Sequence, residues 1–351
     1  MTHDAPLRHA IDQLSQGRSL GPEAAAAAFD VVMRGQATPV QTAALLMGLR
    51  AKGETAEEIA GAAMALRRAM VRAEVGETDG LVDTCGTGGG QVATINVSTA
   101  AAFVVAGAGV PVAKHGNRSY TSRSGSADAL EALGVDITVP PERAGDVLAE
   151  AGLVFLFAPA YHPAMRHVGP VRKELGVATI MNLIGPLANP AGVRRQVVGV
   201  SSEERGALVA EALARLGALH ALVVHAAVGM DEVSPAGITR VWEVREREVA
   251  QWEIAPRAHG LECDDLHALG GGEPADNAAR IERLLDGEGS AVERCAVLLN
   301  AGAALYVSGR GWSLADAFTR AATALDGGAA ARALAALRHA APKTALSARG
   351  A

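Results

Sequence analysis

The chain has 351 residues, 49% hydrophobic and 20% charged, a composition suited to a folded protein with one large core or two modest ones. A formal net charge of −6 argues against a general nucleic-acid footprint, so any basic cluster is a local patch for a small anion. The three cysteines, Cys85, Cys263 and Cys295, lack C-x-x-C spacing, which argues against a disulfide framework or a zinc site and suits a reducing cytoplasm.

Residues 1–74 read as amphipathic helices. Pro22 and Glu23 suit a first helical turn, and Thr38 with Gln41 and Thr55 with Glu58 have capping-box spacing, with Pro39 at the favoured first position and Gly53 as a stop. Apolar residues recur at helical period (Val40, Ala43, Leu46, Met47; Ile59, Ala63, Leu66, Met70), so each helix must bury one face. So small a helical set is short of internal partners, and a homodimer interface is expected there.

Beyond about residue 75 short apolar strands alternate with helices. The expected strands are 80–83, 110–113, 154–157, 196–200 and 221–225, with helices near 127–133, 142–151 and 203–216. This alternation predicts an α/β fold with a mostly parallel central sheet flanked by helices. Residues 239–244 and 248–254, with charged Arg245 to Arg247 between them, predict an appended hairpin. A helix over 291–307 and an Ala-rich helical tail from Leu314 follow. The longest apolar run, 100–113, is broken by glycines, and no membrane segment or signal layout is expected.

The stretch 83–134 organises the chain. Four glycines (Gly86, Gly88, Gly89, Gly90) follow a strand-like run and lead through Asn96, Val97, Ser98 and Thr99 into a small-residue helix, whose free N–H groups and dipole face the loop. The second run delivers Lys114, Arg118 and Arg123 among hydroxyls at Ser119, Thr121, Ser122, Ser124 and Ser126, a convergence of donors suited to phosphate. The loop is neither a P-loop nor G-x-G-x-x-G, and alone it would be an ordinary turn. Asp231 and Glu232 follow an apolar run through Gly229 and Met230, at what should be the carboxyl end of a strand. An adjacent acidic pair is ordinarily a solvated turn, but here it could also hold a hard cation. Arg172, after Gly169–Pro170, should fall in an early helical turn, able to form a fork with a carboxylate. His115, His162 and His167 have no ligand or general-base spacing, and His115 reads as a wall or hydrogen-bond partner.

The GTGG loop, the N-V-S-T turn, KHGNR and S-G-S-A-D occur in the order seen in anthranilate phosphoribosyltransferases, and the chain resembles that family from about residue 20 to 310, including N-L-I-G-P-L-A-N-P and L-L-N-A-G-A-A-L-Y. The resemblance implies a smaller all-helical domain over 1–74, joined by part of about 163–190, facing a large α/β domain over 75–351. It implies transfer of phosphoribosyl from PRPP to the amine of anthranilate, with Mg²⁺ as cofactor, in tryptophan biosynthesis. PRPP contacts are implied at Gly86, Gly89, Gly90, Thr94, Asn96, Val97, Ser98, Thr99, Lys114, His115, Gly116, Asn117, Arg118, Ser119, Ser122 and Ser126. Anthranilate contacts are implied at Gly86, Asn117 and Arg172, and metal ligation at Ser98, Asp231 and Glu232. No catalytic side chain is expected, because an aromatic amine is already neutral with a free lone pair. The family loop is most often GTGGD, and Gly90 replaces that acid. A pyrimidine nucleoside phosphorylase-like enzyme is the nearest alternative, disfavoured by KHGNR, and a nucleic-acid-binding homologue is disfavoured by the net charge. The expected partners are therefore the two small-molecule substrates, with neither nucleic acid nor membrane.

Overall fold

The computed structural model describes residues 4–119 and 123–343. The chain opens with four helices, α1 (Ala5–Ser15), α2 (Pro22–Met33), α3 (Pro39–Lys52) and α4 (Ala56–Ala69). Both expected capping boxes form: Gln41 N–H donates to Thr38 Oγ1 at 3.2 Å while Thr38 N–H donates to Gln41 Oε1 at 2.9 Å, and Thr55 and Glu58 repeat the arrangement. Each box satisfies two orphan donors at a helix start, which is why the starts coincide with the local signal. Glu58 is fully buried and ionically paired with Lys52 at 3.0 Å while accepting Leu20 N–H, so its cap also ties α4 to the loop before α2.

The rest alternates: β1 (Val82–Gly86), α5 (Val97–Gly107), β2 (Val112–Gly116), α6 (Ser126–Ala132), α7 (Ala144–Ala151), β3 (Leu153–Phe157), three short helices α8 (Ala158–Tyr161), α9 (Gly169–Leu175) and α10 (Met181–Ile184), β4 (Arg195–Gly199), α11 (Glu203–Arg215), β5 (His220–Ala226), β6 (Thr239–Arg245), β7 (Glu248–Ile254), and α12 (Pro274–Leu285), α13 (Ala291–Val307), α14 (Leu314–Asp326) and α15 (Ala329–Ala340). The strand order is β3-β2-β1-β4-β5-β6-β7; β1 to β5 are parallel, and β6 and β7 add antiparallel. The β6–β7 turn places Glu246 and Arg247 both at positive φ (51° and 71°), the two-residue geometry that follows strand twist, so Arg245 belongs to β6 rather than to the turn.

β1 and β2 lie two to three residues later than their apolar runs suggest. Both continue through polar residues to Gly86 and Gly116, because pairing with β4 and β3 extends the ladder past the last hydrophobic position. Lys114, His115 and Gly116 therefore sit on a strand end and not in a loop.

Among the described residues, apolar side chains form two cores. One packs α5, α13, α14 and α15 on one face of the sheet; the other joins α1–α4 to residues 164–188 and α11 on the opposite face. Along β5, Leu222 and Val224 point into the first core and Ala221 and Val223 into the second, the period-two alternation of a strand buried on both sides. Chain passages between the bundle and the sheet are stitched together: Val71 N–H donates to Tyr161 O at 2.8 Å and Ala73 N–H to Pro190 O at 3.1 Å. Arg67 of α4 spans the same seam, donating to Leu187 O at 2.6 Å and Leu216 O at 3.3 Å. Desolvation there lowers its guanidinium to about 10. Among the described residues no helix is long and apolar enough to cross a membrane.

Candidate active site

The chain leaves β1 toward β2 and β3 on one side and returns through β4 and β5 on the other, so the topological switch point lies at the carboxyl ends of β1 and β4, the place where open parallel sheets bind ligands. The glycine loop follows β1 there. Thr87 N–H donates to Gly199 O at 2.8 Å and Gln91 N–H to Gly229 O at 2.9 Å, laying the loop across the turn that follows β5. Contact there is close enough to exclude side chains: a Cβ on Gly199 would lie 1.6 Å from Asp231 O, and one on Gly90 would lie 2.4 Å from Asp231 Oδ1. Gly88 and Gly89 hold φ of 68° and 86°, which glycine adopts at least cost.

Asp231 and Glu232 come off the carboxyl end of β5. Glu232 accepts Thr94 Oγ1–H at 3.1 Å and Ser98 N–H at 3.3 Å, which places its carboxylate at the N-terminus of α5. Desolvation, reinforced by the neighbouring Asp231 charge, pushes Glu232 up to about 7, and desolvation also raises Asp231. Two adjacent carboxylates short of positive charge are donor chemistry for a hard cation. Among the described residues no group of three or more His, Cys, Asp or Glu gathers, so such a cation would share its shell with ligand oxygens, the usual habit of magnesium.

Lys114 is buried at the end of β2. Its ammonium donates to the Thr84 carbonyl and to Ser98 Oγ at 3.3 Å. Burial lowers its pKa, while the Asp83 carboxylate, and after it Glu232, draws it back up. Asp83, fully buried, accepts His115 N–H at 3.2 Å and Asn189 Nδ2–H at 2.8 Å, and Asn189 also donates to Ala113 O at 2.8 Å. The strand that carries Lys114 and His115 is thus pinned to β1 and to the returning chain by one carboxylate and one amide.

Thr94, Asn96, Val97, Ser98 and Thr99 gather at the start of α5; Gly86 at the end of β1 and Gly90 in the loop face Asp231, and Gly89 faces Ser201. Thr99 Oγ1 is buried with no hydrogen-bond partner among the described residues. Asn117 and Ser126 meet, with Ser126 Oγ donating to Asn117 O at 3.3 Å, and Gly116 leaves no room for a Cβ beneath that hydroxyl. Arg118 turns away onto α6, paired with Asp128 at 2.9 Å and with Glu131, and lies over the Phe157 ring. The Ser119 N–H also caps Asp128, at 3.2 Å. Ser122, with Thr121, lies outside the described residues. Arg172 is half-buried on α9, its N–H bonded to Val168 O at 3.0 Å.

Contacts that the sequence does not announce also form here. His115 and His162 approach to 3.2 Å between Nε2 atoms; desolvation lowers them to about 3 and about 4, so both are neutral. Their 47-residue separation offers no sequence signal. Asp83 and Asn189 were likewise hidden, although an acid inside an apolar strand is itself a cue that a buried partner exists.

A model of the glycosyl transferase family a/b domain matches residues 78–331, and one of the family's helical bundle domain matches residues 8–70. An anthranilate phosphoribosyltransferase of Bradyrhizobium sp. (strain BTAi1) is 48% identical over 325 residues, covering 93% of this chain and 96% of its own length. The crystal structure of anthranilate phosphoribosyltransferase from Thermus thermophilus superposes with a TM-score of 0.87 at 46% identity, covering 94% of this chain and 99% of that one. The Saccharomyces cerevisiae enzyme in complex with PRPP and Mg does so with a TM-score of 0.87 at 28% identity, covering 96% and 98%. With the same two-part organisation, the glycine loop across an acidic pair and this identity over nearly the whole chain, the protein belongs to the anthranilate phosphoribosyltransferase family.

Proposed function

We propose that this chain transfers the 5-phosphoribosyl group of PRPP to the amine of anthranilate, releasing pyrophosphate, in tryptophan biosynthesis. The observation that carries the reading is the convergence of the α5 N-terminus, Lys114 and the Asp231–Glu232 pair at the carboxyl ends of the strands, where a cationic donor for phosphate meets carboxylates for a metal. In this reading the amine lone pair forms the C–N bond at the anomeric carbon as the C–O bond to pyrophosphate breaks, and the electron pair leaves with the pyrophosphate. The proton of the resulting aryl ammonium is acidic enough to pass to water or to the departing group, so no side-chain base is required.

Asp231 and Glu232, with Ser98, would hold Mg²⁺, which when bound supplies charge compensation to the leaving pyrophosphate. Lys114 and the positive end of the α5 dipole attract phosphate oxygens, and Gly86, Gly89, Gly90, Thr94, Asn96 and Ser126 shape that subsite. His115 and Gly116 form its wall, Asn117 borders both substrates, and Arg172 grips the anthranilate carboxylate. The helical domain comprises 1–74 with part of 163–190, and the α/β domain the rest of 75–351. The α3 face carrying Val40 (78% exposed) and Met47 (37%) is covered by a second copy in a homodimer acting in the cytoplasm. A monomeric mass by light scattering at micromolar concentration would refute the dimer. For the activity, incubation with PRPP, Mg²⁺ and anthranilate should abolish anthranilate fluorescence in proportion to released pyrophosphate. Persistence of fluorescence with intact protein would overturn the assignment.

A further inference from the structure

Asn277 lies on α12, 181 positions from Asn96 in sequence, is 1% exposed, and belongs to none of the substrate motifs. Its amide is committed in one sense only. Oδ1 accepts Gly272 N–H at 2.8 Å, which leaves Nδ2 to donate to Asn96 Oδ1 at 2.9 Å. Asn96 is equally constrained: its Nδ2 donates to Ser124 O at 3.0 Å, so Oδ1 must be the acceptor, and Ser124 Oγ–H supplies a second donor at 3.1 Å. Each amide orientation therefore enforces the other.

The backbone explains what this network is for. Asn96 stands at φ 63°, ψ 51°, a left-handed conformation that among non-glycine residues Asn adopts most readily, and it is the turn from which α5 begins. That turn sets the axis of α5, with the Thr99 and Ala100 N–H groups returning to Asn96 O at 2.9 and 3.1 Å, and brings the Ser98 N–H onto Glu232. The support under it is built from α12 and the loop before it. Gly271 N–H donates to Ala93 O at 3.3 Å, and Gly271 lies so close that a Cβ would be 2.2 Å from Thr94 O. Arg280 holds the same loop through the Ala268 and Gly270 carbonyls and is itself anchored to Glu293 at 2.6 Å. Residues 93–98 thus rest on a brace about 180 residues downstream, and Asn277 is the side chain by which the brace reaches a substrate-loop side chain.

We propose that Asn277 is a positioning residue for PRPP, acting through Asn96 to hold the left-handed turn that aims the α5 N-terminus at the pyrophosphate. The inference rests on the assignment of this loop to PRPP. The test is a double-mutant cycle on the full-length enzyme: Asn96→Ala, Asn277→Ala and the double variant, with KM measured separately for PRPP and anthranilate and thermal unfolding followed in parallel. Asn277→Ala should raise KM for PRPP roughly tenfold while leaving KM for anthranilate within about twofold, and the double variant should be no worse for PRPP than Asn96→Ala alone. Should Asn277→Ala fail to fold, Asn277→Asp keeps the volume and the acceptor for Gly272 but replaces the donor facing Asn96, and enters the same cycle. A lowered melting temperature with unchanged KM for PRPP, or multiplicative effects in the double variant, would overturn the inference alone. An unchanged KM for PRPP in Asn96→Ala would overturn the assignment of the loop to PRPP, and the inference with it.

Discussion

Two carboxylates in the same sheet neighbourhood have opposite fates. Glu243, on β6, accepts three hydrogen bonds, from His220 at 2.6 Å, Trp252 at 2.8 Å and Tyr306 at 3.0 Å, and the His220 bond leads these donors in holding its pKa below the usual range. Glu232, just past β5, has a hydroxyl and one backbone N–H, a like charge beside it, and a pKa raised to about 7. Both are desolvated, so burial alone does not separate structure from function. What separates them is how far the protein completes the charge: around Glu243 three donors do so, and the group ties β5, β6, β7 and α13 together; around Glu232 two donors face a like charge and the pKa stays raised.

The sharpest way to break this contrast is to remove the incomplete pair. The Asp231→Ala, Glu232→Ala variant should keep its far-UV circular dichroism yet lose turnover by about 10³-fold, on the order of 4 kcal/mol of leaving-group stabilisation. Activity within tenfold of the parent would take the pair out of the mechanism.

Next in size is Gly90→Asp, which would push a third carboxylate onto Asp231. At about 4 Å and an effective dielectric of about 20, the repulsion is about 4 kcal/mol before salt and metal reduce it. Gly90 is not among the positive-φ glycines, so the substitution acts through contact and charge rather than through the backbone of residue 90 itself. Magnesium titrations at fixed PRPP separate the two causes: repulsion gives a deficit that saturating magnesium largely removes, crowding a constant one. Overlapping curves for parent and variant would mean that position 90 does not influence the pyrophosphate site.

Arg172→Lys tests the other substrate. Keeping the charge but losing the fork should raise KM for anthranilate roughly tenfold or more and leave that for PRPP nearly unchanged. Equal changes would make Arg172 a structural residue.

On the completed side of the comparison, Glu243→Gln should lower stability by about 1–3 kcal/mol without altering either KM, since three donors then face a neutral amide. A kinetic effect would erase the distinction between the two carboxylates. The metal-free protein should also show a pH slope. The folded state holds the Glu232 proton above its ordinary value of 4.5 and up to about 7, so this group's contribution makes metal-free stability fall as pH rises through that window and level off above it. Differential scanning fluorimetry should find this fall in the parent but not in Glu232→Gln, and magnesium with pyrophosphate should offset it most at pH 8.

Much of this site could be read locally. The glycine loop, the hydroxyl-rich helix start and the acidic pair are each contiguous in sequence, because close backbone approach, an open helix N-terminus and a strand-end turn are properties of neighbouring residues. The capping boxes at Thr38 and Thr55 were legible for the same reason. Strand ends were less so: β1 and β2 run past their apolar positions to Gly86 and Gly116 because their partners, not their own side chains, determine how far the ladder continues. The scattered histidines showed no His–carboxylate spacing, yet His220 pairs with Glu243 and His115 meets His162, contacts that require strand register or chain return to exist. Residue type and spacing by themselves determined the alternating architecture, the position of the glycine loop and that of the acidic pair. Only the tertiary structure decided that Asp83 with Asn189 pins the Lys114 strand, that Asn277 reaches Asn96, and how many donors each buried carboxylate receives, because hydrogen-bond satisfaction of a buried group depends on partners brought together by the fold, here 106 and 181 residues apart for the first two pairs.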